Sequence, residues 1–498
     1  MIDTKIQTSR FISQTLWYTL FRNSSIFFQL FGSIFLARLL EPKDFGYIAL
    51  VIAFTGIGSL FIDFGFSVAY IQRKEIQIQH TNVLFFISSL IGFAFASFFI
   101  IFKDLIISFY SIPELSPIIF GLSISLMIGS LTTAPFSILK RSSRFKELGL
   151  ISILSLFFSL LISIILAFMG YGVMSMVYGA ISKQIILLLL SANKVKWKPG
   201  IKFKRHHFKE MFDFGKWLTL SRIAGYINRN LDTLLIGKYF GPHILGIYTR
   251  AYKLMMAPMS QFVNVIAGTS LPIMKDYQNN DAKLWAGYSK IITAQLLVLV
   301  PVLLFVWTLR YHIIELLYGE TWALVGDYLT YMLPVVLFDM GRNTLHQILI
   351  VKGKTKSHLT IALITSSIVI TSIVIGVMLG DVIFLIKLYV LAKLIIWLFV
   401  SPYLLKQVGV HFIKFLSIYS KVGYQYLSLF LITILYLLFT NTLPNQEFIS
   451  IVYIFVYFVF CLIILRNLIT GNDYEYIFEQ IRIPVFIFRI LRIKNLYN

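Results

Sequence analysis

Four arginines, Arg22, Arg222, Arg229 and Arg342, interrupt long apolar runs, and Arg250 is a fifth at a shallower position. A charged residue at the centre of a membrane helix costs roughly 2.5–3.5 kcal/mol on insertion scales, so such groups face a polar chamber or an ionic partner. Guanidinium groups suit phosphate oxygens because their planar donors engage two at once. Three carboxylates, Asp63, Asp232 and Asp339, lie in similar runs and can serve as ion-pair partners or as coupling groups for H+ or Na+. Cations outnumber acids, so the expected ligand is an anion; a lipid pyrophosphate fits, whereas a chamber for cationic drugs would carry the opposite sign.

Helical spacing gathers these residues into stripes. Thr15, Tyr18, Arg22, Ser25 and Gln29 recur at steps of three and four residues, and Arg222, Tyr226, Arg229 and Thr233 do the same. Asp232, three residues after Arg229, is within reach of an ion pair, a structural role that competes with a functional one. Asp339, Arg342, Asn343, His346 and Gln347 form a third stripe, with Asp339 the expected neighbour of Arg342. Asn343 and Gln347 also suit a hydrogen-bonded seam between helices. Arg250 and Lys253 are read as able to snorkel outward, as are Lys387 and Lys393, which are left out of the site.

The elements that position these stripes are membrane helices. Of 498 residues, 58% are hydrophobic and 13% charged, and a mean hydropathy of +0.81 exceeds what a water-soluble core requires. A hydrocarbon layer about 30 Å thick takes about 20 apolar residues per helix. Apolar runs predict spans near 14–38, 45–71, 81–102, 113–139, 147–169, 171–192, 212–239, 244–274, 286–309, 328–351, 358–379, 382–404, 415–440 and 448–466. The expected fold is an all-α polytopic membrane protein of about fourteen transmembrane helices. Cys461 is the single cysteine, which excludes an intrachain disulfide and a cysteine metal site. His206 and His207 sit in a lysine-rich loop and read as solvated bystanders, so neither metal nor cofactor is expected.

The net charge of +22 raises nucleic acid as a partner, but its distribution points to anionic headgroups instead. With the N-terminus cytoplasmic, the inside segments collect Lys5, Arg10, Arg73, Lys74, Lys140, Arg141, Arg144, Lys146, seven basic residues from Lys194 to Lys209, and most later ones. The outside loops keep only Lys43, Lys103 and Arg310. The positive-inside rule therefore puts both termini in the cytoplasm. Residues 473–498 space Arg482, Arg489 and Arg492 among apolar residues, as in an amphipathic helix on the inner surface.

An internal repeat orders the chain. Trp17, Thr19, Leu20 and Arg22 correspond to Trp217, Thr219, Leu220 and Arg222 at an offset of 200, and Arg38, Pro42 and Gly46 are echoed by Lys238, Pro242 and Gly246. Six spans separate the copies, so both run the same way, as in transporters built from parallel repeats. The expected organisation is two pseudo-symmetric six-helix bundles, 1–193 and 212–405, joined by a basic linker, 194–211. Two further helices in 406–470 and a cytoplasmic tail, 471–498, follow.

Ala37 to Leu50 (ARLLEPKDFGYIAL), Asp63 with Gly65, and Ala69 to Gln72 resemble the polysaccharide transporter family of the multidrug/oligosaccharidyl-lipid/polysaccharide export superfamily. In the second copy Phe214-Gly215, Arg229 to Asp232, Leu234 to Gly237, Leu245-Gly246, Tyr248, Ala251-Tyr252, Pro258 and Pro272 resemble the matching block. Glu41 and Lys43 depart from the glycine and acid that often flank this proline. The resemblance implies a Wzx-type flippase. Such a protein passes undecaprenyl-pyrophosphate-linked oligosaccharide across the inner membrane by alternating access, for O-antigen and lipopolysaccharide, capsule or exopolysaccharide, with a polymerase and a chain-length regulator as candidate partners. Two readings stand beside it in the same class, an ion-coupled multidrug antiporter and a lipid II flippase. A membrane glycosyltransferase or polysaccharide polymerase is the reading from another class; short external loops leave it little room for a catalytic domain, so a transporter rather than an enzyme is expected.

Overall fold

The computed structural model describes Phe21 and residues 24–73, 75–200, 205–275, 277–442 and 446–470. Tyr18, Arg22 and the basic tail lie outside those residues. Every regular element described is helical, as lipid demands: a helix pairs its backbone polar groups within one segment, and hydrocarbon offers no other partner. Two compact units result, residues 1–249 with 317–322 and residues 250–316 with 323–498.

The first unit contains α1 (Ser24–Leu39), α2 (Pro42–Asp63), α3 (Phe66–Gln72), α4 (Ile78–Ile101), α5 (Lys103–Tyr110), α6 (Leu115–Arg141), α7 (Phe145–Phe168), α8 (Met174–Lys194) and α9 (Arg205–Tyr239). Pro42 opens α2 at a position where a missing N–H costs nothing, and the Asp44 carboxylate accepts from the Glu41 N–H at 3.1 Å. The helix stops where Phe64 and Gly65 take left-handed backbone angles, φ 38° and 68°. Asp63 then accepts from the Ser67 N–H at 3.2 Å and so caps α3. At the far end of α3 the Arg141 guanidinium donates to the carbonyls of Tyr70 and Arg73, each at 2.7 Å, where the helix presents unpaired acceptors.

The first unit extends past residue 211, because α9 lies antiparallel along α2. Side by side along this seam are Gly237 with Leu50, and Gly215 with Phe64 and Gly65. The repeat also has a physical counterpart in α10 (Gly241–Lys275), whose first turns belong to the first unit. A Cβ on Gly46 would stand 1.8 Å from the Pro242 carbonyl oxygen, and a Cβ on Gly246 would stand 1.8 Å from that of Pro42. The two copies of the Pro-x-x-x-Gly turn thus cross backbone to backbone, which only glycine permits.

The second unit holds the rest of α10, α11 (Asp281–Thr308), α12 (Arg310–Tyr318) as far as Leu316, α13 (Leu324–Met332), α14 (Pro334–Val351), α15 (Thr355–Met378), α16 (Val382–Lys406), α17 (Phe412–Gln425), α18 (Leu427–Thr442) and α19 (Gln446–Thr470). Pro301 lies inside α11 and cannot donate to the carbonyl of Leu297, four residues back. The buried Tyr426 hydroxyl supplies the missing donor at 2.5 Å, and Tyr457 donates to Pro301 O at 2.6 Å.

Among the described residues eight helices are long and apolar enough to cross a bilayer, and two pairs bent by 50° and 57° raise the number to ten. Within the described residues helices occupy the predicted positions, but their length and apolarity do not give fourteen crossings. The shortfall at α9 has a plain cause: Arg222, Arg229 and Asp232 fall within one stretch of it.

Candidate functional site

The α2–α9 seam carries the polar groups of the first unit. Arg222 Nη1 donates to Asp63 Oδ2 at 2.6 Å, with 36% and 27% of the two side chains exposed, so the pair is neither free nor fully dry. One helical turn on, the Tyr226 hydroxyl donates to Ile52 O at 2.9 Å and lies 3.3 Å from Ala53 O. It sits where Gly56 has no side chain, since a Cβ there would be 2.0 Å from the hydroxyl. Toward residue 205 the Phe64 and Phe212 rings stack at 5.1 Å. Beyond them Arg73 Nη1 donates to Glu210 Oε2 at 2.6 Å, beside a cavity of about 330 Å3 lined by Ala69, Gln72, Arg73, Glu210 and Met211. The Arg73 guanidinium holds the Glu210 carboxyl down to about 2, so this clasp stays ionised at any cellular pH.

In the second unit α14 begins at Pro334, where its helical pair bends by 50°, and presents the third stripe. Arg342 Nη2 donates to Asp339 Oδ1 at 3.0 Å and to Asn343 Oδ1 at 2.8 Å. Lys393, on α16, donates to Asp339 Oδ2 at 2.7 Å. Asp339 is 6% exposed, so the carboxylate is removed from solvent and lies between two cations.

Several expectations change here. Lys393 does not snorkel: it sits near the middle of α16 and is held by Asp339, a partner 54 residues away that helix spacing cannot reveal. Lys387 lies over the Tyr331 ring at 4.9 Å. Arg250 is buried, at 6% exposure, rather than reaching outward. The Asp232 carboxylate accepts from the Tyr248 hydroxyl at 2.9 Å and from the Thr233 N–H at 2.7 Å, and among the described residues it forms no ion pair with Arg229, which is exposed. Gln29 is exposed on α1 and is not brought to either cluster. His207 is no solvated bystander: it is 8% exposed, with Nε2 3.0 Å from Gln77 Oε1 and its ring edge-on to His80 at 4.5 Å. His206 is exposed and lies 3.1 Å from Glu210. Sequence reading passed over Arg73 with Glu210, which are 137 residues apart; a basic residue just after a span and an acid just before the span at 212–239 were the available signal.

Residues 35–325 match the family described as polysaccharide biosynthesis protein. The chain is 23% identical over 343 residues to the lipopolysaccharide biosynthesis protein WzxC of Escherichia coli, covering 68% of this chain and 70% of that protein. It is 24% identical over 302 residues to the teichuronic acid biosynthesis protein TuaB of Bacillus subtilis, covering 60% and 62%. Among solved structures, the lipid II flippase MurJ in an inward closed conformation has a TM-score of 0.71 at 19% identity, over 91% of this chain and 100% of that one. An inward-facing multidrug resistance MATE family transporter has a TM-score of 0.58 at 16% identity, over 78% and 96%. At these identities the structural likeness speaks for the fold alone.

Proposed function

This chain belongs to the family of polysaccharide biosynthesis proteins, and we propose that it is a flippase that carries a lipid-linked oligosaccharide from one face of a membrane to the other. The observation that carries the reading is the placement of Arg222, Asp63 and Tyr226 on one helix seam inside the family-matched region. A guanidinium in that setting suits a pyrophosphate headgroup. We assign the pyrophosphate contacts to Arg222, Arg229 and Arg342, with Arg22, Arg250, Tyr18, Gln29 and Tyr226 as further candidates. Translocation is by alternating access, the two halves of the repeat forming the moving bundles and the lipid tail remaining in the bilayer. The membrane is the bacterial inner membrane, both termini are cytoplasmic, and the carrier lipid is undecaprenyl pyrophosphate. A polymerase and a chain-length regulator receive the product.

Ion coupling by H+ or Na+ would fall to Asp63, Asp232 or Asp339. Two of these acids are already engaged, Asp63 by Arg222 and Asp339 by two cations, so a drug-antiporter reading would rest on Asp232, which is held by the Tyr248 hydroxyl and the Thr233 N–H. Deleting the gene is expected to abolish assembly of one surface polysaccharide, to spare growth, and to leave drug susceptibility unchanged. An essential gene would instead favour a peptidoglycan precursor as cargo, and drug hypersensitivity would favour antiport.

A further inference from the structure

The second unit contains a charge arrangement that the transport reading alone does not explain. Asp339 gives one oxygen to Arg342 at 3.0 Å and the other to Lys393 at 2.7 Å, so two cations share one carboxylate. The three groups carry a net positive charge in an apolar bundle, with only 13% and 15% of the two cationic side chains exposed. Burying an uncompensated charge is costly, so an anion is the natural complement. Unused hydrogen-bonding capacity lies on the same helix. Arg342 Nε, His346 Nε2 and Gln347 Oε1 are buried with no hydrogen-bond partner among the described residues, although buried polar groups are nearly always paired. They fall at steps of one and four residues on α14, the face that also bears Asp339. His346 in turn faces His358 of α15, ring centroids 4.4 Å apart.

The two oxygens of a carboxylate are spaced much as two oxygens of a phosphate are. Cations spread to fit Asp339 Oδ1 and Oδ2 are therefore already spread to fit a phosphate, while Arg342 Nε can add a further donor. We propose that Arg342 and Lys393 form a phosphate seat within the second unit and that Asp339 is its built-in surrogate ligand, occupying the seat in the empty carrier and giving way to an incoming phosphate. The inference rests on the flippase reading for the identity of the cargo but not for the existence of the seat. It adds Lys393 as a direct ligand and gives Asp339 a role other than ion coupling: a carboxylate clamped by two cations sets the affinity of the site by competing for it.

The test uses the full chain in lipid nanodiscs, with thermal stability as the readout. One arm adds inorganic pyrophosphate to the buffer; the other compares nanodiscs containing a polyprenyl phosphate with nanodiscs containing the uncharged polyprenol. Either phosphate is expected to stabilise the wild-type chain. Lys393→Met is expected to raise the half-effective concentration roughly tenfold or more, the loss of one charge-assisted bond, and Lys393→Arg to recover most of it. Asp339→Asn is expected to lower that concentration, since the competitor is weakened. If Lys393→Met does not fold, the paired Asp339→Asn/Lys393→Met change, which removes both charges, is expected to fold and to lose the response. A response only to free pyrophosphate upholds the seat and assigns it to a soluble anion; one only to polyprenyl phosphate assigns it to a lipid headgroup. No wild-type response in either arm, or a Lys393→Met response equal to wild type, overturns the proposal, and so does loss of response in Asp339→Asn. Surface polysaccharide is scored separately. Assembly that survives in Lys393→Met while the stabilisation by phosphate is lost upholds the seat for an anion other than the cargo and leaves the flippase reading intact, whereas a wild-type gene that fails to restore assembly defeats that reading and not the seat.

Discussion

Gly46→Ala is expected to destabilise the protein by about 3 kcal/mol, the upper range for overpacking a tight site, and to abolish transport at wild-type expression. The added methyl would lie 1.8 Å from Pro242 O and 2.6 Å from its carbon. Those are backbone atoms, so no rotamer change relieves the collision and α2 must move away from the start of α10. Gly246→Ala meets Pro42 O at the same 1.8 Å and is expected to behave alike. The double variant is expected to cost less than the sum of the singles, because one displacement relieves both collisions. Gly423→Ala is the control: it has nothing within 4 Å and lies in α17, where alanine favours the helix by about 1 kcal/mol. Apparent melting temperatures of the four purified variants check the set, and a Gly46→Ala protein as stable as wild type would remove the crossing from the account.

Arg222→Ala is expected to reduce surface polysaccharide roughly tenfold to a hundredfold, the worth of one charge-assisted hydrogen bond of about 1.5–3 kcal/mol. Losing the ion pair with Asp63 could by itself account for a defect, so the informative comparison is with Asp63→Asn. That change removes the charge of the partner, and its one amide oxygen can either cap α3 or accept from Arg222 but not both, since Asp63 uses a separate oxygen for each. If Arg222 serves only to hold α9 against α2, the two variants should be about equally impaired. If it also binds the cargo, Arg222→Ala should be much the worse. Quantifying cell-surface polymer alongside membrane abundance of each variant separates the two, and equal defects would withdraw Arg222 from cargo binding.

The local parts of this architecture were open to reading from the sequence, and the long-range pairings were not. The Pro42–Gly46 and Pro242–Gly246 echo at an offset of 200 was visible as a pattern, but nothing in one dimension says that the two copies touch each other. Asp339 and Arg342 are three residues apart, so helix geometry announced their pair. Lys393 and Arg222 bind acids 54 and 159 residues away, where periodicity has no reach. The same spacing rule misled at Arg229 and Asp232: it says which groups can meet, while Asp232 is taken by Tyr248 from the next helix. The apolar runs placed the helices well, 212–239 among them, whereas length and apolarity of the folded helices leave α9 out of the crossings, because Arg222, Arg229 and Asp232 lower its apolar score.

The most direct test of lipid-linked oligosaccharide transport uses purified protein in liposomes that carry a fluorescent polyprenyl-pyrophosphate-linked sugar in both leaflets. A membrane-impermeant glycosidase added outside reaches only the outer leaflet of protein-free vesicles. The account predicts that vesicles containing the wild-type chain are digested nearly to completion, and that Arg222→Ala vesicles stop close to the protein-free level. Digestion by wild-type vesicles that halts where protein-free vesicles halt, with the protein folded and correctly inserted, would contradict it.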